Sequence, residues 1–191
     1  HKANDRSIRN IKRRIRYYPV ISFDIFDTLI LRKVIKPSYV FRLISPEVNN
    51  ILNKSQNKNI DFPLERMKAE GDARSTYTLK NKKEGKDKVF EVTFSQIYKQ
   101  LQNNLNLNDK QTLQIQTLEM EAELKCCVAH PKIKQIYDYC IEQRKLIYFV
   151  SDMYLSKNSI IKVLKHAGYK HKSMNTNVIV SSEYNATKHK G

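Results

Sequence analysis

The sequence is poor in the residues that break or cross-link a chain. Its 191 residues include only 4 Gly, 5 Pro and 3 Cys, and no Trp. So little Gly and Pro excludes a collagen-like repeat and leaves little room for a flexible linker. The cysteines, of which Cys126 and Cys127 are adjacent, are a poor basis for a disulfide framework or a zinc site. We expect one domain with room for an insertion, in a reducing, cytoplasmic setting.

Long apolar runs and acidic residues are also scarce. The longest apolar stretches, such as residues 146–150, have the length of a strand and not the roughly 18 residues of a membrane span. We therefore expect no transmembrane segment and, because the first residues are charged throughout, no secretory signal peptide. Lys and Arg number 35 against 19 Asp and Glu, a formal net charge of +16. This excess favours anionic partners but does not choose between phosphorylated metabolites, nucleic acid and acidic lipid headgroups; a compositional bias toward Lys, Asn and Ile is the other explanation.

The hydrophobic pattern divides the chain into an arm, a core and an insertion. Residues 1–18 are predicted to form a basic helix or arm. Residues 19–35 and 131–191 contain short apolar runs separated by helical patterns, which is typical of a parallel α/β sheet. Residues 36–130 have a helical pattern and are predicted to be inserted after the first strand.

The basic arm has an amphipathic pattern. Its isoleucines, Ile8, Ile11 and Ile15, recur at three- and four-residue spacing among arginines and lysines, as in a helix with one buried face. Tyr17 and Tyr18 follow directly. Tyrosines beside arginines could stack on nucleic-acid bases, but we expect them to pack on the sheet and do not predict a nucleic-acid partner.

Polar residues follow each predicted strand of the core. Asp24, Ser151 and Ser182 come after the apolar runs that begin near residues 20, 146 and 177. Ligands of open parallel sheets bind outside the carboxyl ends of the strands. These side chains are therefore candidates for one common site.

Three segments, in order, resemble the motifs of the haloacid-dehalogenase-like (HAD) superfamily. Residues 21–29 resemble its first motif, an apolar strand followed by an Asp and, four residues later, a Thr. Residues 146–152 resemble the second, an apolar strand ending in Ser or Thr, and residues 181–188 the third, which carries a Lys. The resemblance implies a HAD-like, Rossmann-type parallel sheet with a mostly helical cap inserted after the first strand.

The same resemblance implies a phosphoryl-transfer site. Asp24 would attack phosphorus and form an aspartyl-phosphate, while Ser151 and Lys188 would bind the transferring group. Thr28 and Asp152 would complete the phosphate site. The chemistry needs such donors, because a carboxylate approaches an anion only where positive charge offsets their repulsion. A small phosphorylated metabolite is the implied substrate.

Magnesium is the implied cofactor, and Phe26, one of the residues that would hold it, is unusual at its position. The carboxylate of Asp24 and the backbone carbonyl of Phe26 would hold Mg²⁺ together with the phosphate. Phosphatases of the superfamily usually have a catalytic Asp two residues after the nucleophile, where this chain has Phe26. Asp27 comes one position later. It is either a displaced catalytic acid–base or a turn residue.

A second departure lies at the end of the sequence. The fourth motif of the superfamily supplies acidic metal ligands on a further strand, but the sequence stops at Gly191, shortly after Lys188. We therefore expect the core to be truncated at its C-terminal end, with the chain a fragment of a longer protein or a poor metal binder.

Residues 23–32, 125–128 and 150–155 are similar to a bacterial branch of predicted HAD hydrolases. Members of that branch are often joined to, or encoded beside, glycosyltransferases of surface-polysaccharide synthesis. The resemblance implies a sugar phosphate or a lipid-linked sugar as substrate and a glycosyltransferase domain or neighbour as partner. The alternative is a catalytically impaired HAD-like module that serves as an interaction domain in glycan assembly.

The insertion contributes two further candidates. Arg66 and Arg74 are four residues on either side of Glu70 and so share one helical face. They could contact an anionic substrate from above the site, or form a salt-bridged helix face with Glu70. Leu64 and Met67 are expected to provide the apolar side of the same helix.

Overall fold

The order of the secondary structure follows the division expected from the pattern. The computed structural model describes residues 2–56, 59–83 and 91–184. The elements in chain order are α1 (Lys2–Ile15), β1 (Val20–Asp24), β2 (Ile30–Arg32), α2 (Tyr39–Gln56), α3 (Phe62–Lys83), α4 (Phe94–Leu105), α5 (Asp109–Cys126), β3 (Cys127–Ala129), α6 (Pro131–Glu142), β4 (Leu146–Ser151), α7 (Lys157–His166), α8 (Met174–Asn177), β5 (Val178–Val180) and α9 (Ser181–Tyr184).

The predicted parallel sheet is confirmed. Its strands lie in the order β1-β4-β5, so that β4 is central, and both pairings are parallel. Phe23, Ile147, Phe149 and Val178 are buried in the core cluster around it, as expected for strands whose two faces are both covered. The chain is therefore an α/β protein, compatible with a Rossmann-like architecture.

Helix ends agree closely with the sequence. Thr93 and Gln96 form a capping box at the start of α4, in which each side chain accepts from the other residue's backbone N–H. Asn108 and Gln111 form a second capping box at the start of α5. Reciprocal bonds of this kind satisfy N–H groups that the helix itself leaves without partners.

The insertion begins and ends on an antiparallel ribbon that the sequence analysis did not predict. Strand β2 pairs with β3, with Ile30 opposite Ala129 and Arg32 opposite Cys127. Between these strands, α2 to α5 pack around a cluster of their own that includes Val48 and Leu101. The ribbon joins this bundle to the core, so the helical part of the insertion extends from residue 39 to residue 126.

The inner side of α3 combines apolar residues with one arginine. Phe62, Ala69, Ala73 and Arg66 are buried, whereas Leu64 and Met67 are both more than half exposed. The side that carries Leu64 and Met67 is therefore not the buried side of the helix. Arg66 is accommodated in the interior because Glu119, on α5, pairs with it there.

Helix α1 lies against the core as the amphipathic pattern predicts. It contacts α6; Ile15 is buried, and Arg16 donates from Nε to the hydroxyl of Tyr139 at 3.2 Å. The expectation that Tyr17 and Tyr18 pack on the sheet is wrong. They are 81% and 55% exposed, because the turn between α1 and β1 directs them away from the core.

The cysteines are free and buried, in agreement with a role in packing. Burial raises the pKa of Cys127 to about 12, with repulsion from Glu123 acting in the same direction. Burial also raises the pKa of Cys140 to about 11. Both thiols are therefore protonated and unreactive in the folded protein at neutral pH.

Because of these thiols, the free energy of unfolding should depend on pH in the alkaline range. A group whose pKa is raised by folding contributes stability below its unfolded pKa and loses that contribution as pH rises toward the folded value. We expect the free energy of unfolding to fall between pH ~8.5 and pH ~11, by about 1.4 kcal/mol per pH unit for each such thiol. Urea unfolding of the protein and of Cys140→Ala across this range measures the slope. The variant should show the shallower slope, and equal slopes would contradict the assignment.

Candidate functional site

The polar residues predicted at strand ends do meet at one edge of the sheet. Asp24 is the last residue of β1, Ser151 the last residue of β4, and Ser181 and the predicted Ser182 are the first residues after β5. Asp24 is in register with Val150, and Ser151 with Val180. All of them therefore lie at the carboxyl ends of adjacent parallel strands, where open α/β sheets bind ligands.

A tight turn fixes the carboxylate of Asp24. Thr28 donates from Oγ1 to Oδ2 of Asp24 at 2.7 Å. The turn is closed by backbone bonds, from Ile30 N–H to the Ile25 carbonyl at 2.9 Å and from Asp27 N–H to the Ile30 carbonyl at 2.8 Å. Thr28 thus orients the predicted nucleophile by a direct contact.

Asp27 has the conformation of a turn residue. Its φ of 60° is in the left-handed region, which Asp tolerates better than most residues because its short polar side chain bonds locally. The side chain is exposed. This geometry agrees with the turn interpretation, and the acid–base role of Asp27 stays a prediction.

Two buried hydroxyls lie at the same edge. Neither Ser151 Oγ nor Ser181 Oγ has a hydrogen-bond partner among the described residues, although both residues are more than nine-tenths buried. A buried hydroxyl without a partner costs about 1–3 kcal/mol. Such groups are rare in native proteins and call for an explanation, and a bound ligand, ion or water is one.

Phe26 is held in place by Arg32 and Glu123. The guanidinium of Arg32, on β2, lies over the ring of Phe26 at 4.5 Å. Its Nε also pairs with Oε1 of Glu123, on α5, at 2.7 Å, with both side chains largely buried. Neither Arg32 nor Glu123 could be assigned this role from its local sequence. Together they fix Phe26, the second residue after Asp24.

The structure corrects the predicted role of Arg66 in contacting a substrate. It is fully buried, and its Nε and Nη2 donate to the two carboxylate oxygens of Glu119, both at 2.9 Å. Its Nη1 contacts Glu70 at 3.1 Å. A guanidinium enclosed in this way has no surface for a substrate. Arg66 therefore belongs to the interior of the insertion, and its partner could not be recognised from local spacing because Glu119 lies on a different helix.

Arg66 keeps its positive charge in this buried pair. Burial opposes a charged guanidinium, but the attraction of Glu119 outweighs it and raises the pKa of Arg66. Tyr98 also donates its hydroxyl to Glu119 at 2.7 Å. The carboxylate thus accepts from two side chains, which satisfies its oxygens in a site without water contact.

Arg74 remains near the surface. Its side chain is 43% exposed, and its Nη2 lies 2.9 Å from Glu70 and 2.7 Å from Glu91. This is the salt-bridged helix face that the sequence analysis named as the alternative. Two carboxylates already compete for the guanidinium, and its contact with a substrate stays a prediction.

Tyr154 connects the insertion to the loop after β4. It follows Ser151 by three residues, and its carbonyl accepts from the N–H of Phe94 at 2.7 Å. Its ring stacks on Phe94, with centroids 5.9 Å apart, and lies 5.2 Å from the Arg66 guanidinium. The polar interior of the insertion therefore holds the segment that carries Asp152. Sequence reasoning missed this contact, since nothing in the local pattern relates residues so far apart.

The donors for a metal are of the right type but few. A carboxylate from Asp24 and a carbonyl from Phe26 are hard oxygen ligands, which Mg²⁺ prefers together with phosphate oxygens and water. Among the described residues, no group of three or more His, Cys, Asp or Glu side chains could hold a metal by itself. Lys188, the predicted phosphate-binding lysine, lies outside the described residues.

The fold and this edge define an α/β protein with a parallel sheet and a helical insertion above the carboxyl ends of its strands. No protein-family model matches the chain, and no curated protein matches it. Within the described ranges, each helix is too short or too polar to cross a bilayer.

The two arginines of α3 give a sharp test of the corrected assignment. Arg66→Met leaves Glu119 buried without its partner, which we expect to destabilise the protein by about 3–5 kcal/mol. Arg74→Met removes a partly exposed pair and should change stability by less than about 1 kcal/mol. Urea unfolding of both variants measures the difference. Equal effects would show that the buried pair is not the stabilising interaction described here.

Proposed function

We propose that the chain is a HAD-like, metal-dependent phosphohydrolase or phosphotransferase that acts through an aspartyl-phosphate on a small phosphorylated metabolite. The observation that supports this best is the pairing of Asp24 with Thr28, 2.7 Å apart, at the strand end adjacent to Ser151. The sequence resemblance supports a sugar phosphate as the substrate and a glycosyltransferase domain or neighbour as the partner.

The proposed reaction has two displacement steps. A carboxylate oxygen of Asp24 attacks phosphorus, the bond from phosphorus to the ester oxygen breaks, and the departing alcohol takes a proton. Water then attacks phosphorus in the aspartyl-phosphate, which releases phosphate and restores the carboxylate. In a transferase, an acceptor hydroxyl replaces that water. Asp27 is the proposed source of that proton, and it takes a proton back from the attacking water or acceptor hydroxyl.

The remaining residues stabilise charge in this scheme. The hydroxyl of Ser151 donates to a phosphoryl oxygen, and this contact also supplies the partner that the buried group lacks among the described residues. Asp152 and Lys188 complete the phosphate site by resemblance. Asp24 and the Phe26 carbonyl would hold Mg²⁺, which would supply positive charge to offset the repulsion between carboxylate and phosphate.

Replacement of the nucleophile tests the proposal. Asp24→Asn keeps the shape of the side chain and its ability to accept from Thr28, but an amide is a poor nucleophile. We expect loss of Mg²⁺-dependent phosphate release from a generic phosphate ester, by at least about 1,000-fold if the covalent route is used. Full activity in this variant would exclude a covalent route through Asp24.

Asp138→Asn is the matched control. Asp138 is a carboxylate on α6 that pairs with Lys134 at the surface, away from the strand ends. The same substitution there should leave turnover unchanged. Parallel unfolding curves would show that any loss in Asp24→Asn is chemical and not structural.

The second candidate is a catalytically impaired module for interaction in glycan assembly. The observation that favours it is Phe26, which occupies the usual acid–base position and is fixed there by Arg32. No turnover over a broad panel of phosphate esters with Mg²⁺, together with stable capture of a glycosyltransferase, would favour this module. Turnover that depends on Asp24 would favour the enzyme.

A further inference from the structure

The turns that lead into the strands lie at the sheet edge opposite the candidate site. In a parallel sheet with helical connections, every strand begins at the same edge. The turn from α1 reaches β1 there, the turn from α6 reaches β4, and the segment after α7 leads to β5. Contacts join these turns: Lys145 donates from Nζ to the Arg16 carbonyl at 3.0 Å, and the hydroxyl of Tyr137 donates to the Lys170 carbonyl at 2.9 Å.

This edge is strongly basic. Its exposed or half-exposed cations come from all three turns and from the helix ends beside them: Arg13, Arg14, Arg16, Arg144, Lys145, Lys165, Lys170 and Lys172. The sequence contains no Asp or Glu between residues 7 and 20 or between residues 153 and 180. Glu142, in the last turn of α6, is the carboxylate closest in sequence to the middle turn. The described residues therefore give this edge a net positive charge.

Apolar and aromatic side chains are exposed among these cations. Tyr17 and Tyr18 project from the first turn, and the first residues of β1 and β4, Val20 and Leu146, are 48% and 44% exposed. Val20 and Leu146 are in register on adjacent strands, so they form one contiguous apolar surface. Val20 and Leu146 therefore place apolar surface among the cations of this edge.

We propose that this edge binds the surface of an anionic membrane. Tyrosine prefers the boundary between headgroups and acyl chains, and clustered Lys and Arg bind acidic headgroups. A membrane is favoured over nucleic acid because Val20 and Leu146 have no partner on a phosphate backbone, whereas acyl chains accept them. Binding at this edge directs the carboxyl ends of the strands, with Asp24 and Ser151, away from the bilayer. The proposal does not depend on the activity of that site.

Arg144 adds an independent indication. It lies in the turn between α6 and β4 with φ of 52°, a left-handed conformation that favours Gly. An arginine here is held at a cost of about 1–2 kcal/mol. The geometry of the turn does not explain that residue, but a cation required at the edge does.

Vesicle binding by the full chain tests the proposal. The probes are vesicles of phosphatidylcholine alone and of phosphatidylcholine mixed with phosphatidylglycerol, assayed by co-sedimentation. We expect binding only to the anionic vesicles, weakened by NaCl. Arg13→Glu with Arg14→Glu should reduce the partition coefficient by at least about 25-fold, since each cation near an anionic surface contributes about fivefold. Tyr17→Ser with Tyr18→Ser should weaken binding several-fold at constant charge.

Two further variants separate binding at this edge from general charge and from misfolding. Lys99→Glu with Lys110→Glu changes the net charge equally on the exposed surface of α4 and α5 and should bind like the unmodified chain. Arg144→Gly removes a cation while relieving the backbone, so we expect about fivefold weaker binding with an unchanged or higher melting temperature.

Three results would overturn the proposal. The first is equal binding to neutral and anionic vesicles, and the second is equal loss of binding in the Lys99/Lys110 variant. The third is retention of an oligonucleotide in preference to anionic vesicles at the same salt concentration, which would identify nucleic acid as the partner of this edge.

Discussion

The buried pair of Arg66 and Glu119 is the interaction on which the arrangement of the insertion depends. It joins α3 to α5 inside the bundle, beside the apolar cluster around which α2 to α5 pack. A buried charge is tolerated only with a well-placed partner, so the two helices have little freedom to slide. Because Tyr154 packs against the same guanidinium, the constraint extends from the insertion to the loop after the central strand.

A second buried pair acts on the other side of the candidate site. Arg32 and Glu123 connect the ribbon to α5 and cover Phe26. Both loops that follow the strand ends of the candidate site are thus held by residues of the insertion. The insertion is therefore part of the framework of the site, in addition to any role in covering it. Such support from rigid elements is what keeps reacting groups in a fixed geometry.

Much of the fold could be predicted because its signals are local. Short β-rich runs identified the strands, and side chains such as Thr93 identified helix starts from their spacing to Gln96. The placement of Asp24 and Ser151 at one edge followed from the rule for parallel strands. The ribbon of β2 and β3 was missed since three-residue strands carry almost no periodic signal. The burial of Arg66 was missed for a different reason, namely that its partner is 53 residues away.

The sequence by itself determined the α/β class, the charge and the order of the strand-end residues, because backbone propensity, periodicity and composition are properties of neighbouring positions. Only the tertiary structure decided which of these residues meet. It buried Arg66, left Ser151 without a partner among the described residues and gathered the cations of three turns on one side of the sheet. Those outcomes depend on which helix packs on which strand, and the free energy of that packing comes from contacts between residues far apart in the chain.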